Sequence, residues 1–131
     1  MPENQTEMPF VESVTVPIPE EHKAFINSIS SLAEEIHNIA KSKGWWEGDR
    51  NNGELICLMH SELSEGLEAL RHGNPPSDHI PNFSGVEEEL ADVIIRILDM
   101  SSARGYRIGD AIIAKLAFNN KRSYKHGGKA F

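Results

Sequence analysis

Two acidic couplets stand out in the chain: Glu62 and Glu65 in HSELSEGLEAL, and Glu89 and Asp92 in VEEELADVIIRIL. Each is spaced so that, on a helix, both carboxylates lie on one face about one turn apart. Packed side by side, two such helices bring all four acids together, and their repulsion is relieved by a cation between them. A hard divalent ion such as Mg²⁺ accepts an all-oxygen ligand set, so the couplets predict a metal site. The net charge of −7 argues against nonspecific binding to a nucleic acid backbone, yet it conceals an asymmetry. No acidic residue follows Asp110, whereas Lys115, Lys121, Arg122, Lys125 and Lys129 do. A metal-binding acidic centre beside a basic segment is one way to hold a polyanion.

Four helices must position these groups. Residues 1–19 carry four of the seven prolines and no helical period, which predicts an extended arm. From Glu20 onward Phe25, Ile29, Leu32, Ile36 and Ile39 recur at spacings of three and four, with Pro19 at the start and Gly44 past the end. After the loop GWWEGDRNNG, a second helix is expected from Glu54 to His72, stopped by Gly73 and two prolines. Ser84 is a suitable N-cap for a third helix reaching Ala103, with Gly105 as its stop. Asp110 is expected to cap a fourth running to Arg122. No strand-like alternation competes, so the fold class is all-α, with residues 20–131 as one domain.

Plotted at about 100° per residue, the second helix shows an apolar arc of Leu58, Ala69, Leu55, Gly66, Met59, Leu70, Leu63 and Ile56. Glu62 falls inside that arc and Glu65 at its edge. On the third helix Met100, Val93, Val86, Ile97 and Leu90 form a comparable arc, with Glu89 at its border and Asp92 one step beyond. A solvated carboxylate belongs opposite the core, so a glutamate within the arc needs a partner. Ile94, Ile95 and Leu98 extend the apolar band of the third helix most of the way round, which predicts burial by a second copy of the chain.

The di-iron carboxylate bundle also uses inward glutamates, but it requires two Glu-x-x-His motifs, and only Glu34 with His37 fits here. The order ExxE, linker, ExxD and then Lys-x-x-x-Asn-x-x-Arg resembles that of the MazG-like, all-α nucleoside triphosphate pyrophosphohydrolases, over about residues 20 to 129. The resemblance implies a four-helix MazG-like bundle completed by oligomerisation, as a homodimer or homotetramer. It implies Mg²⁺ held by Glu62, Glu65, Glu89 and Asp92, and cleavage of a nucleoside triphosphate between its α and β phosphates to monophosphate and pyrophosphate. Clearance of unwanted nucleotides is the usual setting. Lys115, Asn119 and Arg122, on one helical face, would contact the phosphates, with Tyr124, Lys125 and Lys129 nearby. The resemblance equally admits a related phosphoribosyl-ATP pyrophosphatase, and a noncatalytic metal- or nucleotide-binding module is the alternative from another class.

Many members of that family begin the first motif with two adjacent glutamates, whereas this chain has Ser61 before Glu62. The general base is therefore open: Glu62 is one catalytic candidate, Glu88 beside Glu89 is a substitute whose angle points away from the apolar arc, and a water acidified by the cation is a third. Trp45 and Trp46 precede the metal helix, where Trp46 could stack on a nucleobase or anchor the corner of the fold; anchoring is expected for at least one of them. Turn chemistry accounts for Asn51 and Asn52. The histidines show no metal-ligand spacing. The single cysteine, Cys57, excludes an internal disulfide and fits a reducing compartment, and there is neither a membrane-length apolar run nor a signal peptide; a cytoplasmic protein is expected.

Overall fold

A computed structural model of the chain describes residues 18–122. These form four helices: α1 (Glu20–Ser42), α2 (Asn52–Arg71), α3 (Gly85–Arg104) and α4 (Ile108–Asn120). The only strand-like pairing among the described residues is an isolated bridge between Pro76 and Ser84. None of these helices is long and apolar enough to cross a membrane. The expected arm lies almost wholly outside the described residues, as do Tyr124, Lys125 and Lys129.

The helix ends follow from local chemistry. Asn51 caps α2, its side chain accepting from the Glu54 amide at 2.7 Å. Ser84 and Glu87 form a reciprocal capping box on α3, and Gly105 closes that helix at φ 70°, a left-handed conformation that costs glycine least. At α4 the expected cap is displaced. Asp110 lies in the first turn instead, and Arg107 occupies the N-cap without a side-chain bond. Packing explains the earlier start: a Cβ at buried Gly109 would meet Ile29 Cγ2 at 2.6 Å, so α4 begins where a bare backbone fits against α1. Asp110 still complements the positive end of the helix dipole.

The helices pair as α2 with α3, α3 with α1, and α1 with α4. The described residues thus form an open row of helices, α2–α3–α1–α4, with α3 and α1 inside it. Leu55, Met59 and Met100 form the core between α2 and α3, with Trp46 and Ile97 against them. Leu98 is the most deeply buried large side chain, at 2 % exposure, so it belongs to the inner face of α3 and not to an outward one.

An open row leaves a second set of apolar side chains uncovered. The α1 stripe divides: Ile29 and Ile36 face inward, while Phe25, Leu32 and Ile39, seven residues apart, stay exposed. The α2 arc divides likewise into an inner edge of Leu55, Met59, Glu62 and Gly66 and an exposed edge of Ile56, Leu63, Leu67 and Leu70. On α3, Leu90, Ile94 and Ile95 are exposed as well.

Candidate metal centre

The α2–α3 contact creates the acidic site because it is close at the right places. Gly66 removes a side chain opposite Glu89: a Cβ there would lie 3.4 Å from Glu89 Cβ and 3.7 Å from Val86 Cγ2. One turn further along, Gly85 sets its backbone against Ala69. Asn74, held at φ 51°, accepts from the Val86 amide at 3.0 Å and fixes the connection between the two helices.

Within this contact Glu62, Glu89 and Asp92 each bring a carboxylate oxygen to within 4.8 Å of the others. Glu62 is buried, Glu89 and Asp92 are half-buried, and Glu65 stays exposed at the rim. The expected tetrad is therefore a close triad with a fourth acid beside it. Glu89 Oε2 is buried and has no hydrogen-bond partner. Such an atom carries a desolvation cost that a cation would remove.

The titration behaviour reflects the crowding. Burial, a hydrogen bond with Glu62 and repulsion from Glu65, Glu62 and Asp92 push Glu89 up to about 7. Burial and the Glu62 and Glu88 charges also raise Asp92. Glu65 is raised by its hydrogen bond to Glu62, then by desolvation and repulsion. Glu62 moves the other way: burial pushes it up, but hydrogen bonds from Arg96, Glu89 and Glu65 outweigh that and hold it below the usual range. Of the four carboxyls only Glu62 is held below its ordinary value, while Glu65, Glu89 and Asp92 are pushed above theirs.

Arg96 was not among the residues singled out from the sequence. Its Nε donates to Glu62 Oε1 at 2.9 Å, and its Nη2 lies 2.8 Å from the same oxygen. Four residues beyond Asp92, it shares the face of the ExxD couplet, and that spacing is the signal that marks it.

Glu88 is engaged on both oxygens, accepting from the Ser77 hydroxyl and lying 2.5 Å from His79 Nδ1. Those bonds, the Ser77 one foremost, hold its carboxyl below the usual range. They clip the buried Ser77, and with it the connection, to the start of α3. Ser61 is exposed and spends its hydroxyl on the Leu58 carbonyl at 2.7 Å. Trp46 is half-buried and donates from Nε1 to both oxygens of Asp99, at 3.0 and 3.1 Å. Its ring meets His37 edge-on, with Arg50 4.9 Å and Arg104 5.6 Å from the ring centroid. His37 bonds the same Asp99 at 2.8 Å. Trp46 is thus an anchor joining α1, α3 and the loop, while Trp45 is exposed.

Lys115 and Asn119 are exposed on α4, which packs on α1; the helix ends at Asn120, short of the expected Arg122, and Arg122 is exposed just beyond it. Among the described residues no hydrogen bond or ion pair joins them to the acidic triad; Lys115 Nζ lies 4.5 Å over the Phe118 ring instead. The structure brings together the couplets and leaves the basic face apart from them within one chain. Two surface hollows, one along α1 and one between α1 and the α3–α4 turn, are lined by other residues.

In comparisons with known proteins, no family model matches the chain, no curated protein matches it, and no solved structure matches its fold.

Proposed function

We propose that the chain is a Mg²⁺-dependent nucleoside triphosphate pyrophosphohydrolase, cleaving between the α and β phosphates. The observation that carries this reading is the convergence of Glu62, Glu89 and Asp92 around a buried, unpartnered Glu89 oxygen. The donor set is oxygen only and partly open to solvent, which suits an ion that keeps several waters and binds through a few carboxylates plus phosphates. Glu62, Glu89 and Asp92 hold the ion, with Glu65 completing the rim. When bound, it neutralises phosphate charge and lowers the pKa of its water.

The Lys115, Asn119 and Arg122 face binds the phosphates. Since α4 does not meet the triad of its own chain, these residues reach it across an interface with a second copy. The exposed Ile56, Leu63, Leu67 and Leu70 edge of α2, with Leu90 and Ile94 of α3, supports that pairing, because these apolar stripes on both site-bearing helices are left uncovered among the described residues. Glu88 would act as base only by giving up Ser77 and His79; its geometry fits holding the connection in place. With Ser61 turned to Leu58, no carboxylate outside the ligand set is free beside the triad among the described residues, and this favours a noncatalytic nucleotide-binding module as the second reading.

A nucleotide panel with Mg²⁺, scoring pyrophosphate and orthophosphate separately, decides between them. Pyrophosphate release is expected. Orthophosphate alone contradicts α–β cleavage, and binding without turnover selects the module.

A further inference from the structure

We propose that Arg96 is a phosphate-binding residue with two positions: in the metal-free site its guanidinium is the counter-ion of Glu62, and when a divalent cation takes that carboxylate it passes to a phosphate oxygen of the substrate. The role in substrate binding rests on the function proposed above; the exchange at Glu62 does not.

The geometry of the pair is that of a stand-in. Both Nε and Nη2 converge on a single oxygen, Glu62 Oε1, although a guanidinium is built to grip two oxygens side by side. No other hydrogen bond to Arg96 occurs among the described residues, so most of its five donors are uncommitted. Its side chain is 34 % exposed against 11 % for Glu62, which places the guanidinium on the solvent side of the carboxylate. The pair is not needed to hold the helices together, because Gly66 against Glu89 and Gly85 against Ala69 already set that contact. Arg96 acts electrostatically on Glu62, Glu65 and Asp92 alike. It is the positive charge among the acids, and it cannot be titrated away.

A cation at the triad must share Glu62 with this guanidinium and repels it. Arg96 therefore lowers metal affinity while no phosphate is present. Once phosphates arrive, the displaced guanidinium meets an anion that matches its planar fork, and metal and substrate then bind with mutual assistance. The arrangement favours the metal–phosphate complex over the bare ion.

The test uses the full chain, Arg96→Met, which keeps the apolar stem, and Arg96→Lys, which keeps the charge without the fork. MgCl₂ is titrated calorimetrically into nucleotide-free protein, and pyrophosphate is then titrated in saturating Mg²⁺. The expected result is Mg²⁺ binding several-fold tighter in Arg96→Met and pyrophosphate binding weakened by about tenfold or more, with Arg96→Lys between it and wild type in both. Unchanged or weaker Mg²⁺ binding in a folded Arg96→Met protein overturns the exchange. Unchanged pyrophosphate affinity overturns the phosphate role. Failure of wild type to hydrolyse any nucleotide overturns the assigned reaction alone, and the two titrations still decide Arg96. Should Arg96→Met not fold, the same titrations on Arg96→Lys decide it.

Discussion

Gly66 of α2 faces Glu89 of α3 across a gap into which a methyl group just fits, whereas Gly109 of α4 faces Ile29 of α1 across one into which it does not. Gly66→Ala should therefore fold normally and gain roughly 0.5–1 kcal/mol from helix propensity. Gly109→Ala should lose about 1–3 kcal/mol through overpacking. Paired denaturant titrations check the contrast, and equal effects at the two positions would show that α1–α4 packing is looser than the geometry states. Gly66→Leu, too large for the gap, should separate the triad and abolish metal binding.

Stability should depend on pH through Glu89. Its carboxyl titrates at about 7 in the fold against an ordinary 4.5, so between those values the native state retains a proton that the unfolded chain has lost. Stability of the metal-free protein consequently falls as pH rises through that window. Mg²⁺ replaces the proton and removes the cost, so the ion should raise Tm more at about pH 8 than at about pH 5.5, with proton release on binding near neutrality. Thermal scans with and without Mg²⁺ measure this. A Tm gain independent of pH would take Glu89 out of the ligand set.

Glu62→Gln should leave the fold intact, because the amide oxygen can still accept from Arg96 while one buried charge disappears. It should weaken Mg²⁺ binding by about tenfold or more, a loss of roughly 1.4 kcal/mol or more, and abolish turnover. Lys115→Ala should also reduce turnover while leaving Mg²⁺ binding unchanged. Mixing the two variants should restore activity if α4 serves the triad of a second copy. A mixture no better than its parts would place both groups in one chain's site.

Much of this architecture is legible in the residues themselves. Periodicity and the Ser84 and Gly105 signals locate α1 and α3 closely, whereas Asn51, read as turn chemistry, caps α2 and starts it at Asn52 rather than the expected Glu54. The angular position of Glu62 within an apolar arc is reproduced as burial at the α2–α3 contact. What was not legible depends on contacts distant in sequence. Arg96 finds its partner on another helix, the start of α4 is set by Gly109 against Ile29, and Leu98 is buried although its angle placed it on an outward band. The division of each apolar arc into a covered and an uncovered edge follows from helices laid in a row, which no single-helix projection contains.

The contiguity of α2 and α3 has a kinetic consequence. They are joined by the connection 72–84, which Asn74, Ser77 and Glu88 tie down, while α4 packs chiefly on α1. The ligands Glu62, Glu89 and Asp92 all belong to this one hairpin, whose closure spans less chain than the α1–α3 contact does. Pulse-labelled hydrogen exchange during refolding should find α2 and α3 amides protected before those of α4; simultaneous protection would contradict it. In that order of events the acidic cluster exists before the rest of the domain has docked, so divalent cations in the refolding medium should speed folding as well as stabilise its product.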